Sequence, residues 1–252
     1  MNGKAILGVA LIVIAICLAA GGVYAVRILK QQKFDPETLC PLEGPKAVTL
    51  ILIDKTDPLT PAEQARVRSL IAAEADAVQS GSRITVKLLQ QKEGASETAL
   101  ASVADLCNPG AEGNPLFENP RRVAARYHGA FRQPIEAALE SIKGAGSAPA
   151  SPIARAIAET MEAVPEGPGL KLILVSDLME HTAEASAYTG SLTEAALRKA
   201  LSPNTRARLK GKEVRILLLN RARYAKQQAA AIAIWRSFFA AASGREPDFE
   251  RP

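Results

Sequence analysis

The chain has 252 residues, 48% of them apolar but only 4% aromatic, with 23% charged and a formal net charge of +5. Lys4, Arg27, Lys30 and Lys33 flank one apolar segment; +5 less these four leaves about +1, with no basic cluster of the kind a nucleic-acid-binding face needs. Histidines and cysteines without zinc-ligand spacing, and the lack of a G-x-S-x-G elbow or a phosphate-binding glycine loop, exclude the commonest hydrolase and nucleotide-binding signatures.

Residues 1–4 form a short tail. Residues 5–26 are 22 positions without a charge, roughly 33 Å as a helix and long enough for a ~30 Å hydrocarbon core. Tyr24 sits at interface depth, and the flanking basic residues sit at headgroup level. The segment reads as an uncleaved transmembrane helix in contact with the lipid bilayer. A cleaved signal peptide would have a shorter apolar core, whereas this run continues past Ala19-Ala20-Gly21. Counting Lys and Arg favours a cytoplasmic C-terminal domain. The cysteines point the other way: Cys40-Pro41 and Cys107-Asn108-Pro109-Gly110 are an even pair in turn-like settings, which suits a disulfide in an oxidising compartment. The expected placement of the domain is extracytoplasmic, periplasmic or outside.

Residues 27–46 read as a juxtamembrane linker, rich in proline and glycine from Pro36 onwards. AVTLILI at 47–53 is a wholly apolar, β-branched run, the pattern of a buried central strand. Thr60 and Glu63 make a capping box around Pro61, opening a helix to about 79. Residues 83–89 form a second strand, and 99–106 a weaker edge strand. Residues 120–143 are mostly helical, kinked or broken at Pro134. Ser151-Pro152 reads as an N-cap and first helical position for a helix to about 164. Residues 170–176 and 214–220 are further buried strands, with a polar loop at 177–190 and a helix at 191–202 between them. The last helix, 222–242, carries Ile232, Trp235, Phe238 and Phe239 on one face, a stripe that suits core packing. Residues 244–252 are left as a tail. Strands alternating with helices over 47–243 predict an α/β fold with a doubly wound, mostly parallel sheet.

In such sheets ligands bind at the carboxyl ends of the strands. The first strand ends in Asp54-Lys55-Thr56-Asp57-Pro58-Leu59-Thr60, the strand at 170–176 ends in Ser176-Asp177, and the loop between them brings Ser147 and Ser151. Carboxylates and hydroxyls converging there are hard oxygen ligands, suited to Mg²⁺ or Mn²⁺.

Here the chain resembles the von Willebrand factor type A domains, over roughly residues 47–243. Asp54 and Thr56 are similar to the start of that family's D-x-S-x-S motif, Ser151 in SPIARAIAE to its loop threonine, and Asp177 in LILVSDL to its strand followed by T/S-D-G. The resemblance implies a Rossmann-like sheet and a metal-ion-dependent adhesion site with Asp54, Thr56, Ser151 and Asp177 as ligands of one Mg²⁺ or Mn²⁺. It also implies a non-catalytic role in protein–protein recognition or complex assembly, with another protein as partner. The chain departs from the motif at Pro58, which supplies no second hydroxyl, and at Leu178, where the family has glycine. A degenerate site holding no metal is the other form this resemblance takes.

Two other readings start from the same residues. DKTDPLT at 54–60 resembles the DKTGTLT signature of P-type ATPases within the haloacid-dehalogenase-like phosphotransferases, with Asp54 as nucleophile. Asp57-Pro58 replaces its Gly-Thr, and Glu180 is not at the spacing from Asp177 that the second acidic residue requires. The third reading is a structural subunit of a membrane complex with a vestigial site. His181 is close enough in sequence to act at the rim, though a surface role suits it better, and His128 sits in a helix beside Tyr127.

Overall fold

The computed structural model describes residues 11–22, 34–92, 94, 97–112, 119–143, 146–165 and 169–250. Six strands form one sheet in the order β3-β2-β1-β4-β5-β6: β1 Ala47–Asp54, β2 Arg83–Gln91, β3 Thr98–Cys107, β4 Gly169–Ser176, β5 Glu213–Leu218 and β6 Asp248–Glu250. Neighbours are parallel except β2 and β3, which are antiparallel. The expected mostly parallel sheet is therefore present, with the expected weaker strand at one edge. The sixth strand lies within residues whose sequence reads as a tail; three residues are too short for a periodicity to register.

The central strands are apolar on both faces because both faces are covered. On one, Leu50 and Leu52 of β1 and Leu172 and Leu174 of β4 pack against α5 (Ile153–Glu162), α6 (Glu194–Ala200), α7 (Pro203–Leu209) and α8 (Ala225–Ser243). On the other, Ile51, Ile53, Ile173 and Val175 pack against α2 (Pro61–Ala77) and α4 (Gln133–Ser141). The aromatic stripe of α8 is core as expected: Trp235, Phe238 and Phe239 are all buried.

The segment α3 (Pro120–Arg126) runs into α4 through a π-helical turn, Tyr127–Arg132, so Pro134 does not break the helix. Proline has no N–H to give, and the ladder adjusts by widening: the Gln133 N–H reaches back to the His128 carbonyl.

Residues 11–22, which we label α1, are helical, with Leu11, Ile12, Ile16 and Leu18 exposed. Among the described residues no helix is long and apolar enough to cross a membrane. The rest of the expected span, 5–10 and 23–26, lies outside the described residues.

From Phe34 onwards the expected linker is tied to the domain. Phe34 bridges Pro41, the Cys107 N–H donates to the Thr38 carbonyl, and Cys40 is bonded to Cys107. This stretch is held against the end of β3 that pairs with the start of β2, where Cys107 faces Arg83.

Candidate functional site

The carboxyl ends of β1 and β4 lie side by side, with Ile53 paired to Val175. This is the switch point of the sheet, because the chain winds from β1 towards β2 on one side and later towards β4 on the other. Asp54 ends β1 and is only 4% exposed. Its Oδ1 accepts from the Thr56 N–H at 3.1 Å and the Thr56 hydroxyl at 2.6 Å. Its Oδ2 accepts from the Ser176 hydroxyl at 2.9 Å and the Ser151 hydroxyl at 3.2 Å. Burial raises the Asp54 carboxyl above its ordinary value, against these hydrogen bonds.

Ser151 does not cap α5 as its sequence suggests. Its hydroxyl turns to Asp54, and its backbone pairs in both directions with His181, with N···O distances of 2.8 and 2.9 Å. The helix opens one residue later at Ile153, and the buried Glu180 carboxylate accepts from the Ala154 N–H at 2.9 Å instead. His181 serves this scaffold: its Nδ1 lies 2.9 Å from the Ser186 hydroxyl and its ring meets Tyr188 edge-on.

Asp177 follows β4 and is 4% exposed. Its Oδ1 accepts from the Met179 N–H at 2.9 Å, and its Oδ2 lies 2.9 Å from Arg221 Nε. The Arg221 N–H does not point along that line, so the contact is ionic rather than a directed hydrogen bond. Burial and the neighbouring Asp54 outweigh Arg221 and raise Asp177 to about 7. Burial works against the charge on Arg221 as well, but Asp177, Glu63 and Asp57 together hold its pKa above the ordinary value.

The turn between these groups is strained. Leu178, where a glycine would be at ease, adopts φ 62° and is fully buried. Its N–H donates to the Ser176 hydroxyl at 2.9 Å, and its carbonyl accepts from Trp235 Nε1 at 3.1 Å. Left-handed backbone costs a branched residue about 1–2 kcal/mol, whereas emptying a buried leucine site costs about 2–5 kcal/mol. Leu178→Ala is therefore expected to destabilise the fold by more than Leu178→Gly, by about 1 kcal/mol, reversing the usual order of these two residues; urea unfolding of the pair checks this.

Glu180 is raised to about 8, chiefly by burial, against the Ala154 N–H and with a push from Asp54. Its ordinary value is 4.5. Between those limits the native state keeps a proton that the unfolded chain has released, so stability falls as pH rises, by roughly 1.4 kcal/mol per pH unit. Glu180→Gln removes this slope while its amide oxygen can still accept from Ala154. The fall in unfolding midpoint from pH 5 to pH 8 should be smaller in the variant than in the parent, the remainder coming from Asp177 and Asp54, whose raised carboxyls give a slope of the same sign.

The structure thus brings Asp54, Thr56 and Ser151 into one hydrogen-bonded cluster and places Asp177 beside it. Around the four expected ligands it places Ser176 and Glu180, and it adds Arg221, which the sequence reading does not name. Arg221 lies just past β5, at a strand end, where the sequence reading names no residue.

The chemistry of the expected ligands suits a divalent ion, but their arrangement does not. Both Asp54 oxygens are already filled by four donors, and Arg221 stands on the outer oxygen of Asp177. With Arg221 in this position, the outer oxygen of Asp177 is not open to Mg²⁺ or Mn²⁺.

No protein-family model and no curated protein matches the sequence. Among solved structures, the chain is similar to the conserved hypothetical protein BatB from Bacteroides thetaiotaomicron, at 12% identity over 82% of this chain and 90% of that one, TM-score 0.39. It is also similar to a von Willebrand factor type A protein from Catenulispora acidiphila, at 13% identity over 77% of this chain and 43% of that one, TM-score 0.35. A third is an aerotolerance-related membrane protein from Bacteroides fragilis, at 13% identity over 76% of this chain and 98% of that one, TM-score 0.37.

Proposed function

We propose that this chain is a membrane-anchored module of the von Willebrand factor type A kind, which recognises or assembles with another protein through the carboxyl rim of its sheet. The observation that carries this reading is the rim cluster itself. Residues 54–56, 151 and 176–177 come from three distant stretches of chain and meet at the β1/β4 switch point. Catalysis is the poorer use of this arrangement. A phosphoryl-accepting aspartate needs an oxygen open to the phosphorus, and both oxygens of Asp54 are engaged in a buried setting.

The anchor in this reading is the uncharged run 5–26, of which 11–22 is a helix with its apolar side chains exposed. The Cys40–Cys107 bond supports an extracytoplasmic domain. It fixes the chain leaving the anchor at the amino end of the parallel strands, opposite the rim. A strand as long as β1 spans roughly 25 Å, so the rim is turned away from the bilayer and open to a partner.

The test is site-specific photocrosslinking of the full-length chain in native membranes. The half-buried rim position Asp57 and the exposed rim position Glu184 should trap the same partner protein, while Lys210, exposed just before β5 at the far end, should not. Adducts only from Lys210, or none from the rim, would defeat the proposal.

A further inference from the structure

We infer that Arg221 supplies from within the protein the positive charge that the rim needs, so that the site works as a built-in ion pair without a divalent cation. This deepens the reading of the rim as a recognition surface and rests on it only for the site's use, not for its chemistry.

The guanidinium is held on several sides. Its Nε lies 2.9 Å from Asp177 Oδ2, its Nη1 donates to Glu63 Oε1 at 3.0 Å, and Asp57 Oδ2 lies 3.9 Å from Nε. Glu63 is itself fixed, because its other carboxylate oxygen accepts from the Thr60 N–H at 2.8 Å in the capping box that opens α2. Three elements therefore converge on one cation: the tip of β4, the start of α2 and the tip of β5.

The backbone at Arg221 is positioned as firmly. Gln228 of α8 is buried; its Nε2 donates to the Asp177 carbonyl at 3.0 Å and the Leu219 carbonyl at 2.7 Å. Its Oε1 accepts from the Arg221 N–H at 3.0 Å. One side chain thus ties the end of β4 to the end of β5 and sets Arg221 opposite Asp177. A surface arginine meeting a carboxylate by chance needs no such support.

The electrostatic logic follows. Two neighbouring buried carboxylates repel each other and require a counter-charge. A guanidinium delivers that charge permanently and cannot be removed by chelation. The departures of the sequence from an adhesion-site motif agree with this. Pro58 removes a hydroxyl ligand, and Leu178 with Ser176 closes the turn internally.

The test uses the full-length chain at pH 8. Calorimetry with Mn²⁺ and Mg²⁺ up to 10 mM should give no binding heat, and EDTA should leave Tm unchanged. Arg221→Met, which keeps the stem and removes the charge, should lower Tm and gain a rise of about 3 °C or more on adding Mg²⁺. If Arg221→Met does not fold, Arg221→Met/Asp177→Asn, which removes both partners, should restore folding. Mn²⁺ binding by the unaltered chain that disappears in Asp177→Ala would overturn the inference, as would Arg221→Met with unchanged Tm or a double variant that recovers nothing. None of these readouts involves the partner, so their failure is separate from failure of the crosslinking test.

Discussion

Trp235→Ala is expected to destabilise the protein by about 3–5 kcal/mol, the range for emptying a fully buried large aromatic site. Trp235 is fully buried on α8, with its ring stacked on Phe239 at 5.5 Å and edge-on to Phe238 at 6.0 Å. It is also the point where core and rim meet, since its Nε1 donates to the carbonyl of the left-handed Leu178. Trp235→Phe keeps most of the apolar volume but leaves that buried carbonyl without its donor, a loss of about 1–3 kcal/mol. The difference between the two variants in urea unfolding separates packing from the hydrogen bond. A further consequence concerns Asp177, one residue before Leu178. Relaxing the turn in Trp235→Phe should shift Asp177 relative to Arg221, visible as a changed carboxyl titration of Asp177 by NMR. An unaltered titration would mean that the tryptophan supports the core alone.

The sheet was readable in the sequence because its central strands carry little but aliphatic residues. Residues 50–54 and 172–176 are buried on both faces, and apolar runs ending in such stretches leave few alternatives. Half of the rim was readable for a related reason, since Asp54 and Asp177 each directly follow such a run. The remainder was hidden because it depends on contacts distant in sequence. Ser151 has a helix-cap signature, yet its hydroxyl is taken by a residue 97 positions away. The cap then falls to Glu180, which no local pattern assigns to α5. Arg221 acquires its meaning only when α2, β4 and β5 are side by side. The edge strand β6 and the packing of residues 34–41 against Cys107 are also tertiary outcomes, with too few residues for a periodic signal.

Loss of the Cys40–Cys107 bond should be as costly as the loss of Trp235, by a different route. The two cysteines are separated by 67 residues, and closing a loop of that size in the unfolded chain corresponds to about 4 kcal/mol on the chain-entropy account. Both partners are buried, so replacing them also leaves a small gap beneath the segment that starts at Phe34. Cys40→Ser/Cys107→Ser, or reduction of the parent, should therefore lower the urea midpoint strongly while leaving the cluster around Asp54 intact at the opposite end of the sheet. The effect on orientation is distinct from the effect on stability. In the intact chain the Cys107 N–H and the disulfide together bind residues 38–40 to β3. On the anchoring proposed above, loss of the bond frees residues 34–46 from β3 and lengthens the connection to the rim, which then samples more heights and angles. Crosslinks from Asp57 and Glu184 to the partner should then weaken under conditions where the domain is still folded. Crosslinking that persists at full strength in the folded, reduced protein would mean that the rim finds its partner without being aimed.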